Sequence, residues 1–88
     1  MRFEPVGVAG ASIIDIERLA DERGFFARVF CAREFEDHGS PQRFVQSSVS
    51  YNRRRGTVCG MHFQRSPSHE DKLVRCVHGA IHDVLLDL

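Results

Sequence analysis

From Arg43 to Tyr51 the chain alternates in character. Phe44, Gln46, Ser48 and Ser50 fall on one side of an extended backbone, and Val45, Ser47, Val49 and Tyr51 fall on the other. The same period of two recurs in TVCGMHF, residues 57–63. Val58, Gly60, His62 and the following Gln64 share one face there, with Cys59, Met61 and Phe63 opposite. Gly56 before this run and Ser66-Pro67-Ser68 after it punctuate it like strand ends, so the pattern predicts a buried strand. Its polar pair, His62 and Gln64, looks into one common space, and Gln46 joins a polar face on its own strand.

Strand-like runs also cover Ser12–Leu19, Phe25–Phe30, Leu73–Val77 and Ile81–Leu88. Pro5, Gly7 and Gly10 break the first ten residues, which leaves a short edge strand or an extended arm. Polar turns are expected over Ala20–Gly24 and residues 65–71, with a turn or bulge at Gly79. One helical turn is predicted at Ala32–His38, with Arg33 and Asp37 spaced to pair and Gly39 placed just past the end. Such a turn is too short to stand alone. The pattern as a whole predicts a mostly antiparallel β domain spanning residues 1–88, without repeats. Val84–Leu88 is an apolar strand whose unpaired edge invites cover, by another molecule or by the rest of a longer protein.

Composition narrows the function. A chain of 88 residues is one domain at most and buries a modest core, so a partner would stabilise a β-rich fold of this size. Twelve basic residues balance twelve acidic ones, which leaves no electrostatic footprint for nucleic acid. The one basic run, Arg53-Arg54-Arg55, reads as a solvated turn. No apolar stretch approaches a membrane span, and the first residues lack a long apolar signal core. Cys31, Cys59 and Cys76 are odd in number and widely spaced among apolar neighbours, which suits reduced thiols in the core of a cytoplasmic protein.

The chemistry concentrates at His62 and Lys72. Lys72 opens the run that follows the Ser/Pro turn, so a hairpin across residues 65–71 would bring its ammonium toward the space faced by His62. A neutral imidazole beside a fixed cation suits proton abstraction next to a carbonyl, the cation stabilising the enolate oxygen. Taken alone, a histidine on a strand is more often a hydrogen-bonded structural residue than a base. His38 and His69 read as surface residues.

Five ordered blocks carry a resemblance. Asp21-Glu22-Arg23-Gly24-Phe25-Phe26, Phe44-Val45-Gln46, Gly60-Met61-His62-Phe63-Gln64, Lys72-Leu73-Val74-Arg75 and Gly79-Ala80-Ile81-His82-Asp83-Val84 together resemble the dTDP-4-dehydrorhamnose 3,5-epimerases. The resemblance implies a cupin-type antiparallel β jelly roll, here incomplete as an N-terminal half. It further implies a homodimer that takes a dTDP-linked 4-keto-6-deoxyhexose without metal or organic cofactor. In that family pattern His62 matches the base and Lys72 the cation near the C4 oxygen. Arg23 matches a residue on the nucleotide diphosphate, a group whose geometry a guanidinium fork fits. Phe26 and Gln46 match residues lining the substrate site. The chain departs from the pattern at Arg28, where an acid is usual, near Ser48, where an asparagine is usual, and at Cys59, where an arginine is usual. The family's tyrosine acid and the aspartate paired with its histidine belong to a half that this chain does not contain.

Two other readings compete. A metal-binding cupin would draw on His62, His69, Glu70, His78 or His82, but His62-Phe63-Gln64 stands where such sites present a His-x-His pair. A non-enzymatic module would keep the sugar-nucleotide face without turnover.

Overall fold

The broken N-terminal arm finds its partner in the segment just after it. In the computed structural model, which describes residues 1–88, β1 (Arg2–Pro5) runs antiparallel to β2 (Ser12–Asp15) with Arg2 opposite Asp15 and Phe3 opposite Ile14. Charge supports this register, because Arg2 Nη2 lies 3.2 Å from Asp15 Oδ2. Phe3 and Ile14 are the half-buried residues of their strands. Between the strands, the Val6 amide donates to Ala11 O (3.3 Å) and the Ala11 amide to Val8 O (3.1 Å). The strand expected over Ser12–Leu19 therefore stops at Asp15, opposite Arg2 at the start of β1.

A second hairpin follows at once. β3 (Leu19–Asp21) pairs antiparallel with β4 (Gly24–Phe26), so the polar turn expected over Ala20–Gly24 narrows to Glu22 and Arg23. No residue other than glycine has positive φ, which excludes the primed hairpin turns for Glu22-Arg23. Asp at the first position and Gly at the fourth are the sequence signature of a type I turn, and Gly24 takes a φ of 143° that favours glycine. The Arg18 guanidinium lies 4.7 Å from the centre of the Phe25 ring. The strand expected over Phe25–Phe30 ends at Phe26.

The expected helix forms as α1 (Ala32–Asp37). Its end is chemically explicit. The Ser40 amide donates to Phe35 O (2.8 Å) and the Gly39 amide to Glu36 O (3.0 Å), with Gly39 at φ 69°. These two bonds make a Schellman motif that satisfies carbonyls the short helix would otherwise leave free. The Arg33–Asp37 pair does not form; the ion pairs of this helix run instead from Glu34, to the Met1 α-amino group and to Arg28, each at 3.1 Å. Phe35 is the one buried residue, 1% exposed. Its ring meets Phe3 and Phe30 edge-on, with centroids 5.3 and 4.7 Å away. Phe44 reaches Phe30 at 5.8 Å, and His38 stacks on Phe3 at 4.1 Å. This aromatic cluster holds the first hairpin, the helix and Phe44 together.

Past Ser40 the sequence expectation fails. The strands predicted at Arg43–Tyr51, residues 57–63, Leu73–Val77 and Ile81–Leu88 do not form, and the backbone there is irregular. Of 17 backbone–backbone hydrogen bonds, only that from the Ser68 amide to Arg65 O (2.8 Å) lies beyond Ser40. The Ser/Pro turn is thus present, but no hairpin flanks it. Alternation states which face a strand would bury; it supplies no partner, and these runs find none within the chain. Their side chains stay exposed, Val49 at 92% and Val58 at 91%. Cys59 and Cys76, expected in the core, are exposed for the same reason, while Cys31 is half-buried; all three are free thiols. Arg53–Arg55 do lie in an exposed turn ahead of Gly56. A long-range bond from Arg75 Nη2 to Val29 O (3.0 Å) ties this half to the first. The radius of gyration, 15.1 Å, exceeds the roughly 12 Å of a compact chain of this length.

The regular structure is therefore mostly β, in two small antiparallel sheets with one short helix. No helix is long and apolar enough to cross a membrane.

Candidate active site

The five residues singled out from the sequence fall in three places. His62 and Lys72 line one open cavity of about 1130 Å³, together with Gln64, the apolar side chains of the β1–β2 hairpin and the carboxylates Glu70 and Asp83. Arg23 and Phe26 line a second, shallower depression of about 260 Å³ on the β3–β4 hairpin. Gln46 borders neither and is exposed.

Both cations are held by a carboxylate two residues earlier. Lys72 Nζ lies 3.0 Å from Glu70 Oε1, an exposed pair of the kind that contributes little to stability and releases its members readily. Arg23 is paired at shorter range, in a still more exposed position. Asp21 Oδ1 accepts from the Arg23 amide at 2.8 Å, and Asp21 Oδ2 accepts from Arg23 Nη2 at 2.7 Å. These bonds from Arg23, side chain first and then backbone, hold the Asp21 carboxyl below its ordinary range. Glu70 and Asp21 were not read from the sequence as partners of these cations. The signal for both was present, since a carboxylate at i−2 on an extended or turning backbone lies on the cation's side.

His62 is exposed and is not engaged in any hydrogen bond or ion pair. The His-rich alternative gains nothing from the geometry. His62, His69, Glu70 and Asp83 border the same cavity, but no three His, Cys, Asp or Glu side chains are gathered closely enough to hold a metal ion. The arrangement can offer an imidazole and a loosely paired ammonium to one space, with a guanidinium on a separate turn.

The small antiparallel sheets put the chain among mostly β proteins, and comparison with known sequences specifies the family. Residues 5–88 match the family described as dTDP-4-dehydrorhamnose 3,5-epimerase, and the chain belongs to that family. A dTDP-4-dehydrorhamnose 3,5-epimerase of Sinorhizobium fredii is 36% identical over all of this chain and 45% of its own length. One of Methanothermobacter thermautotrophicus is 42% identical over 99% of this chain and 46% of its own. A dTDP-4-dehydrorhamnose 3-epimerase of Streptomyces niveus is 40% identical over all of this chain and 42% of its own. The chain thus spans less than half the length of the curated relatives it matches. No solved structure matches it.

Proposed function

We propose that residues 1–88 form the N-terminal half of a cupin-type jelly roll that epimerises a dTDP-linked 4-keto-6-deoxyhexose at C3, C5 or both. The family match over residues 5–88 carries this reading. A ketone at C4 acidifies the C–H bonds on both sides of it. His62 removes one of these protons as a general base, and Lys72, once released from Glu70, stabilises the enolate oxygen that develops at C4. Returning the proton to the opposite face inverts the centre and requires a second acid, which the family resemblance assigns to a tyrosine outside this stretch. The substrate's own ketone is the electron sink, so the chemistry calls for no metal or organic cofactor. Arg23 contacts the diphosphate, and Phe26 and Gln46 line the sugar-nucleotide site. A homodimer, acting in the cytoplasm, covers the apolar faces that the single chain leaves open.

A second reading is binding without turnover. It is favoured by the Glu70–Lys72 pair, which occupies the cation, and by a His62 that no carboxylate orients. One experiment separates the two readings: deuterium incorporation at C3 and C5 of dTDP-4-keto-6-deoxyglucose in heavy water, with His62→Asn as control. Exchange that disappears in the control is the expected result. A folded sample that exchanges no faster than the control, yet binds dTDP, overturns the catalytic reading in favour of the binding one.

A further inference from the structure

Asp21 makes two bonds of different kinds at the tip of the β3–β4 hairpin. Through Oδ1 it accepts the Arg23 amide and shapes the turn, and through Oδ2 it grips Arg23 Nη2. A guanidinium carries five N–H donors, and this one makes no other hydrogen bond or ion pair. Its remaining edge is therefore open to the depression that Phe25 and Phe26 border.

We infer that Asp21 is a positioning residue that fixes the Arg23 guanidinium with its free edge presented to a diphosphate. The inference rests on the proposed role of Arg23. Arginine otherwise loses much rotamer freedom on engaging a ligand, and a side chain already held in one geometry loses less. The same carboxylate also carries a charge that repels phosphate. The two effects have opposite signs, so the direction of a single substitution decides between them.

Asp21→Asn is the informative variant, because asparagine keeps the Oδ1 acceptor for the Arg23 amide while removing the charge that grips Nη2. The measurement is titration calorimetry of dTDP into the 88-residue chain, paired with 15N spectra that follow the Arg23 Nε–H and the amides of Leu19–Phe26. Arg23→Ala is expected to weaken dTDP about tenfold or more, as loss of a charge-assisted contact does. Asp21→Asn should weaken it about three- to tenfold and broaden or shift the Arg23 Nε–H, with the hairpin amides unmoved. Asp21→Glu should restore part of the loss. Unchanged or tighter dTDP binding by Asp21→Asn, with Arg23→Ala impaired, overturns the positioning role alone. Hairpin amides lost in Asp21→Asn would make Asp21 merely structural and overturn it as well. Binding that is indifferent to Arg23→Ala, or absent from the unsubstituted chain, overturns the role of Arg23 and the inference with it.

Discussion

Glu34 shows how a single carboxylate organises the folded half. It accepts from the Met1 α-amino group through Oε1 and from Arg28 Nη1 through Oε2, both at 3.1 Å. The bond from the N-terminal ammonium, then that from Arg28, holds its carboxyl below the ordinary 4.5. Reciprocally, the bond to Glu34 is the main reason the α-amino group is raised above 8.0. The signs give a window. A depressed carboxyl adds stability that is present above its unfolded value and lost as pH falls through its folded one. A raised amine adds stability that is present below its unfolded value and lost as pH rises through its folded one. The cluster therefore stabilises most between 4.5 and 8.0. Unfolding midpoints in urea, followed by far-UV circular dichroism across pH, should show a plateau there, and Glu34→Gln should flatten both limbs. Limbs of unchanged height in that variant would mean that other groups set the pH dependence. Arg28 is exposed and Glu34 half-buried, so the effect should also shrink as salt is added.

At the scale of elements, α1 and the first hairpin depend on Phe35. A six-residue helix cannot pay for its own nucleation, so its order comes from packing and capping. Phe35→Ala removes the one buried side chain and the edge-on contacts to Phe3 and Phe30. Truncating a buried phenylalanine costs about 3–5 kcal/mol, enough to melt the helix here, and a flat far-UV melt in place of a cooperative one is the expected reading. Arg33→Ala, on the exposed face of the same helix, should leave the melt unchanged. These elements were legible in the sequence because their determinants are local. Gly39 announced the helix end, the polar run Ala20–Gly24 a turn, and Pro5, Gly7 and Gly10 the short first strand. The runs around Val45, Val58 and Val84 were equally strand-like, but a strand is satisfied only by a neighbour, and alternation names no neighbour. The site divides in the same way. Arg23 and Phe26 come together because they lie three positions apart on one hairpin, and His62 and Lys72 share a cavity because they lie ten positions apart across one turn. Gln46, whose approach depended on pairing between distant strands, stands apart.

The whole molecule is accordingly two halves of unequal order. Every regular element lies within residues 2–37, and beyond Ser40 a single backbone hydrogen bond is made. A folded chain of this length ordinarily makes roughly one hydrogen bond per residue, so amide hydrogen exchange should divide sharply along the sequence. Amides bonded in the two hairpins and α1, and that of Ser68, should be protected, whereas those of Val45, Val58, His62, Leu73 and Val84 should exchange at nearly the rate of an unstructured peptide. Protection at these five positions would instead mean that the predicted strands pair, in the chain itself or between copies, and a dilution series would separate those cases because only the second depends on concentration. The outcome bears directly on catalysis. A base works when it is held within hydrogen-bonding reach of the proton it takes, and a misplacement on the order of 1 Å can cost a hundredfold in rate. His62 and Lys72 lie in the half without backbone pairing, while Arg23 sits on a formed hairpin. If exchange is fast at His62, the nucleotide binding proposed for Arg23 should survive in the isolated chain, and the proton abstraction proposed for His62 should rise when strand pairing is supplied by the remainder of a full-length relative added in trans.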